Sequence, residues 1–157
     1  MTDGTNPNPK VFQRREIEHV INSSDSDDEI ETEVDNIEIF DLIRDIEDPE
    51  HPLTLEQLNV VSPEQISVDL SKKEIVVKFT PTVPNCSSAS LIGLIILCKL
   101  KRTVHSSFYI RVILSPGSHD QEQEINKQLN DKERVAAAFE NKTLMKTINA
   151  KLISKYD

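Results

Sequence analysis

Apolar residues along the chain fall into blocks with different periods. Ile39, Leu42, Ile43 and Ile46 recur at helical spacing, with Glu38, Asp41, Arg44 and Asp45 between them, and predict an amphipathic helix beginning near Asn36. Asp48-Pro49 should stop it, because a residue followed by proline is pushed out of the α region. Thr54-Leu-Glu-Gln57 reads as a capping box, with Thr54 as N-cap, opening a single helical turn that ends near Asn59. The period then changes to two. Ile66, Val68 and Leu70 alternate with Ser67 and Asp69, and Ile75, Val77 and Phe79 alternate with Val76 and Lys78, predicting an antiparallel pair joined by the polar turn Ser71-Lys72-Lys73.

Pro81 and Pro84 bar Thr80 to Asn85 from regular helix or a central strand. The run from Ser87 to Lys101 is apolar on nearly every face and exceeds a typical strand of about 5–6 residues. It predicts a helix buried between the sheet and other elements. Gly93 permits close approach of a neighbour, and Lys99, Lys101 and Arg102 suit the C-terminal end of the helix dipole. Phe108, Ile110, Val112 and Leu114 form a third strand, so that helix and strand resemble half of a crossover unit. Ser115-Pro-Gly-Ser-His119 ends it with turn residues. Three helices follow: one from Gln121 with Ile125 and Leu129 inward, one over Arg134 to Phe139, and one opened by Asn141 or Thr143 with Leu144, Ile148 and Leu152. The expected fold is α+β, a small mixed sheet of about three strands packed with helices. The order is helix, short helix, strand, strand, helix, strand, helix, helix, helix, in one domain over residues 36–157.

Charge separates the first 35 residues from that domain. The net charge is −9, and ten of 27 acidic residues but only three of 18 basic ones fall within the first 36 positions. Ser23-Ser-Asp-Ser-Asp-Asp-Glu29 is self-repelling and poor in apolar residues, so residues 1–35 are expected to form a disordered acidic tail. Ser23, Ser24 and Ser26, each followed closely by acids, are candidate phosphorylation sites. No clustered Lys/Arg points to nucleic acid, and an acidic surface is repelled by anionic membrane. Leu91 to Leu100 is short of the roughly 20 apolar residues that span a bilayer, and no apolar run follows a basic N-terminus as in a secretory signal. Cys86 and Cys98, twelve residues apart, would stand roughly 18 Å apart on one helix, too far for a bridge. The expected compartment is reducing, cytoplasm or nucleus.

Catalytic signatures are absent: the chain carries no glycine-rich phosphate loop, nucleophile elbow or paired-histidine helix motif. His19, His51, His105 and His119 are scattered, and no zinc-ligand spacing occurs. Two cysteines are too few for four-thiolate iron–sulfur ligation by a monomer. Cys86 is the chemically pointed residue. At the mouth of a helix its thiolate would be favoured by the dipole and by free N–H groups, with Asn85, Ser87 and Ser88 placed to donate to sulfur. A free cysteine is more often a small buried hydrophobe, which is how Cys98 reads. His119 is the auxiliary candidate, close to Cys86 if the strand and helix ends are adjacent.

Four blocks carry a resemblance: Asp48-Pro-Glu-His-Pro-Leu-Thr-Leu-Glu-Gln-Leu-Asn-Val-Val61, Phe79-Thr-Pro-Thr-Val-Pro-Asn-Cys-Ser-Ser-Ala-Ser-Leu-Ile-Gly-Leu94, Ser115-Pro-Gly-Ser-His119 and Asn126-Lys-Gln-Leu-Asn-Asp-Lys-Glu-Arg-Val-Ala-Ala-Ala-Phe-Glu-Asn141. Together, over about residues 37–150, they resemble the Galla-type subunit of the cytosolic iron–sulfur assembly (CIA) targeting complex, related to bacterial SufT-like domains. The resemblance implies an adaptor rather than an enzyme, working with a WD-repeat propeller subunit and a HEAT-repeat scaffold. Its work would be to deliver iron–sulfur clusters to cytosolic and nuclear apoproteins, with a link to chromosome segregation. It places the family's reactive cysteine at Cys86, for client or cluster handling. No stably bound cofactor is implied, beyond a transient iron–sulfur cluster. His51-Pro-Leu-Thr54 and Ser115-Pro-Gly117 resemble the general client-delivery branch, while Asn85 stands where histidine often precedes the cysteine. The alternative is a cluster carrier using Cys86 of two protomers. A helix bounded by proline-rich and polar loops is one that protomers can exchange, so a domain-swapped homodimer is among the expectations.

Overall fold

The computed structural model describes Val11 and residues 34–152. The expectations for the acidic tail, including Ser23, Ser24 and Ser26, and for the last five residues therefore lie outside the described residues. The elements are α1 (Asn36–Ile43), β1 (Ile66–Asp69), β2 (Glu74–Phe79), α2 (Ala89–Thr103), β3 (Tyr109–Leu114), α3 (Glu122–Leu129), α4 (Lys132–Glu140) and α5 (Lys142–Leu152), with a 3₁₀ turn over Pro63–Gln65 before β1. The sheet has the order β1-β2-β3. β1 and β2 are antiparallel, Ile66 opposite Val77, whereas β2 and β3 are parallel, Glu74 opposite Tyr109. The sheet is therefore mixed, and α2 is the crossover that parallel neighbours require.

The core forms where α2 lies against the sheet. Ile75, Val77 and Phe79 of β2 and Val112 and Leu114 of β3 face Ile92, Ile95, Ile96 and Leu100 of α2, all essentially buried. α1 packs on α2 through Ile39, Phe40 and Ile43, while Leu42 is only partly buried. Gly93 lets a neighbour approach closely, as expected. A Cβ built there would lie 2.5 Å from Leu129 Cδ1, so α3 can seat Leu129 on α2 only because the side chain is missing. α3 also finishes the sheet edge: Asn126 Oδ1 accepts from the Leu114 amide at 2.7 Å, and Asn130 Nδ2 donates to the Val112 carbonyl at 3.4 Å.

The first helix departs from its sequence pattern. It ends at Ile43, before Asp48-Pro49, because residues 44–48 turn to pair with residues 53–56. The Glu56 amide donates to the Arg44 carbonyl, the Leu55 amide to Ile46 and the Asp48 amide to Leu53. Arg44, expected on the polar face, is 2% exposed and forms a two-pronged ion pair with buried Glu56 at 3.0 and 2.9 Å. The capping box forms as predicted: Gln57 N donates to Thr54 Oγ1 and Thr54 N to Gln57 Oε1. Asn59, at φ 55°, closes that turn left-handed, with its own amide bonded to Glu56 and that of Val60 to Leu55.

Candidate functional site

The C-terminal ends of β2 and β3 lie side by side, and the loops leaving them meet. Gln65 Nε2 donates to Thr80 Oγ1 and Ser115 Oγ at 2.8 and 2.7 Å, tying the two strand ends together. From Thr80 the chain runs through Pro81 and Pro84 to Cys86 and enters α2 with Ser88 as N-cap. From Ser115 it runs through Gly117, at φ 75°, to His119. The Asp120 amide donates to the Pro84 carbonyl at 2.8 Å.

Cys86 and His119 are brought together, but not as a dyad. His119 Nε2 lies 2.8 Å from the backbone carbonyl of Cys86, and the Gln121 amide donates to Nδ1 at 2.9 Å. A carbonyl can only accept and an amide can only donate, so the ring is the Nε2–H tautomer with both nitrogens committed. His119 pins the loop that carries the thiol and leaves no lone pair to take the thiol's proton.

The thiol itself is not displayed. Cys86 is 6% exposed and packs with the core, as does Cys98 at 4%; both are free. Burial pushes the Cys86 thiol up from its ordinary value, and the nearby Glu50 and Asp48 carboxylates add to the effect against the opposing Ser88 amide. The expected helix-mouth activation is thus overridden by desolvation and like charge. Of the serines, only the Ser88 backbone amide serves the sulfur; the hydroxyls of Ser87 and Ser88 both donate to Glu50 Oε1.

The segment over the site was not singled out from sequence for this role. Asp48 is 3% exposed, its Oδ1 accepts from the Glu50 and His51 amides, and burial raises its carboxyl above the usual range. Among the described residues, His51 Nε2 and Ser118 Oγ are buried side-chain atoms without a hydrogen-bond partner, one in each loop flanking the thiol. The Asp-Pro pair that reads as a helix stop, followed by Glu50, was the available signal. Among the described residues no group of three or more His, Cys, Asp or Glu is placed to hold a metal ion. No helix among them is long and apolar enough to cross a membrane. A cavity of about 450 Å³ lined by Leu97, Val104, Phe108, Ile110, Leu129 and Val135 lies toward the other end of α2.

A family profile described as iron–sulfur cluster assembly protein matches residues 36–104, from α1 through α2, and so includes Asp48, Glu50 and Cys86. The chain is 51% identical to MIP18 family protein F45G2.10 of Caenorhabditis elegans, over 92% of this chain and 91% of the relative. The chain belongs to the MIP18 family. Family members similar to it include galla-2 of Drosophila melanogaster, 47% identical over 98% of both chains. Cytosolic iron-sulfur assembly component 2B of Mus musculus is 49% identical over 92% of this chain and 88% of its own. The resemblance read from the four sequence blocks is thereby established at the level of family, and the α+β element order agrees with the structure.

Proposed function

We propose that this MIP18 family chain is a component of the cytosolic iron–sulfur assembly targeting complex, an adaptor that helps deliver clusters to cytosolic and nuclear apoproteins. The observation that carries the proposal is near-50% identity, over almost the whole chain, to proteins named for cytosolic iron–sulfur assembly. In this reading the chain is not an enzyme. It binds a WD-repeat propeller subunit, a HEAT-repeat scaffold and apoprotein clients, and it acts in the cytoplasm and the nucleus. A role in chromosome segregation would follow through clients that need clusters.

Cys86 is the functional thiol of this proposal, used in client or cluster handling. Its support is positional. Three separate segments, 48–51, 84–88 and 115–121, converge on one cysteine, and His119 fixes its backbone. A covered thiol with its proton firmly held is poorly suited to turnover as a standing nucleophile. It suits a contact made when a partner rearranges the loops. A cluster is cargo here, and one held between Cys86 of two protomers would require both sulfurs to be uncovered. Affinity purification of the tagged full chain from cells should recover a WD-repeat propeller and a HEAT-repeat scaffold in constant ratio. Recovery of the intact chain without either would refute the adaptor reading.

A further inference from the structure

The entry to α2 carries a contact that the helix does not need. A serine at the N-cap ordinarily accepts a hydrogen bond from an amide of the first turn. Ser88 makes no such bond. Its hydroxyl donates instead to Glu50 Oε1 at 2.5 Å, and the Ser87 hydroxyl donates to the same oxygen at 3.2 Å. One carboxylate oxygen thereby holds two hydroxyls from a segment more than 35 residues away in sequence. The anchor is firm, because buried Asp48 fixes the amides of Glu50 and His51. The other end is fixed too, by His119 on the Cys86 carbonyl. Ser87 is exposed while Cys86 beside it is buried, so the contact sits at the boundary between solvent and sulfur.

We propose that Glu50 is the latch of the Cys86 site: a positioning residue whose grip on the Ser87 and Ser88 hydroxyls keeps residues 86–88 folded over the thiol, which a partner reaches only when those two bonds are released. The proposal deepens the reading of Cys86 as the functional thiol and rests on it. Closed, the latch shelters the sulfur, and its charge stands among the groups that oppose a thiolate there. Open, it gives the sulfur solvent and moves a carboxylate away from it, so one movement changes both access and nucleophilicity.

The test is alkylation of the intact folded chain by iodoacetamide across a pH series, resolved by peptide mass spectrometry. Cys98, inside α2 and comparably buried, serves as the internal reference for global opening. Glu50→Gln keeps an acceptor but removes the charge. It should lower the pH midpoint for Cys86 and speed its alkylation at neutral pH about three- to tenfold, the consequence of removing one nearby like charge. Glu50→Ala and the paired Ser87→Ala/Ser88→Ala change release the grip, and should speed Cys86 while leaving Cys98 unchanged. Equal acceleration of both cysteines would signify a loosened fold, and Cys86 rates indistinguishable from wild type would mean that the contact closes nothing. Either result overturns the latch. Cluster delivery by Cys86→Ala is measured separately: full delivery would remove the thiol's functional role whatever the alkylation rates show.

Discussion

Arg44 shows how far a residue's polarity can mislead about its place. It follows three apolar helical positions and is charged, yet it is among the largest fully buried side chains. Nε and Nη2 of its guanidinium meet Glu56, Nη1 lies 3.5 Å from Asp41 Oδ1, and Cζ stands 5.0 Å from the centre of the Phe40 ring. Removing either partner takes the two-pronged counterion from a buried charge, so Arg44→Ala or Glu56→Ala should cost about 3–5 kcal/mol in urea unfolding, with Glu56→Ala toward the lower figure because Asp41 remains beside Arg44. Replacing the pair together by Met and Leu should cost much less. Cys86 yields a second residue-scale prediction. Both thiols hold their protons more tightly folded than unfolded. The folded state therefore binds more protons across that range, and their contribution is complete below the ordinary thiol range and lost as pH rises through the raised values. Wild type should lose urea stability more steeply on going alkaline than Cys86→Ala/Cys98→Ala. Equal slopes would contradict the burial of the two thiols. The sequence located this cysteine at the start of a helix, but helix position alone omits desolvation and the Asp48 and Glu50 carboxylates. Those come from residues about 35 positions away.

Elements whose pattern is local were legible. The alternation in residues 66–70 and 75–79 gave the hairpin, and the apolar length of Ser87–Lys101 gave the buried helix. Thr54-Leu-Glu-Gln57 gave the capping box, whose partners lie three residues apart. The end of α1 was not legible. It is set by backbone pairing of residues 44–48 with 53–56, a tertiary demand that helical periodicity cannot register. Gly93 lies between these cases: its chemistry allowed a close approach, but only the fold names Leu129 as the neighbour. Alanine there gains helix propensity of about 1 kcal/mol and loses about 1–3 kcal/mol to overpacking. Gly93→Ala should therefore destabilise the protein. Gly93→Ala/Leu129→Ala should be more stable than the sum of the two single changes by about 0.5–3 kcal/mol. Additive costs would mean that the two residues do not touch.

At the scale of the whole molecule, the parallel pairing of β2 with β3 organises everything else. It places the exits of both strands at one end of the sheet, where the 84–88 and 115–121 loops meet and the 48–51 segment closes over them. The far ends of the same elements border a half-open cavity, lined by Lys101, His105 and Asn130 as well as by apolar side chains, that shares no lining residue with the thiol site. The crossover itself was foreshadowed by a helix followed by a strand, while the convergence of three loops on Cys86 depended on strand order. α5 returns to the same side of α1, with Lys151 Nζ 3.0 Å from Glu47 Oε1, so the chain's last described helix braces the turn leading into that segment. Such an arrangement is what the proposed role of Cys86, a guarded thiol met by partners, requires. The most direct test is radioiron incorporation into a cytosolic iron–sulfur apoprotein, in cells where this chain is the sole family member. Wild type should restore incorporation, and Cys86→Ala should hold it near the level of depleted cells while still copurifying with the wild type's partners. Full incorporation by Cys86→Ala would contradict the account.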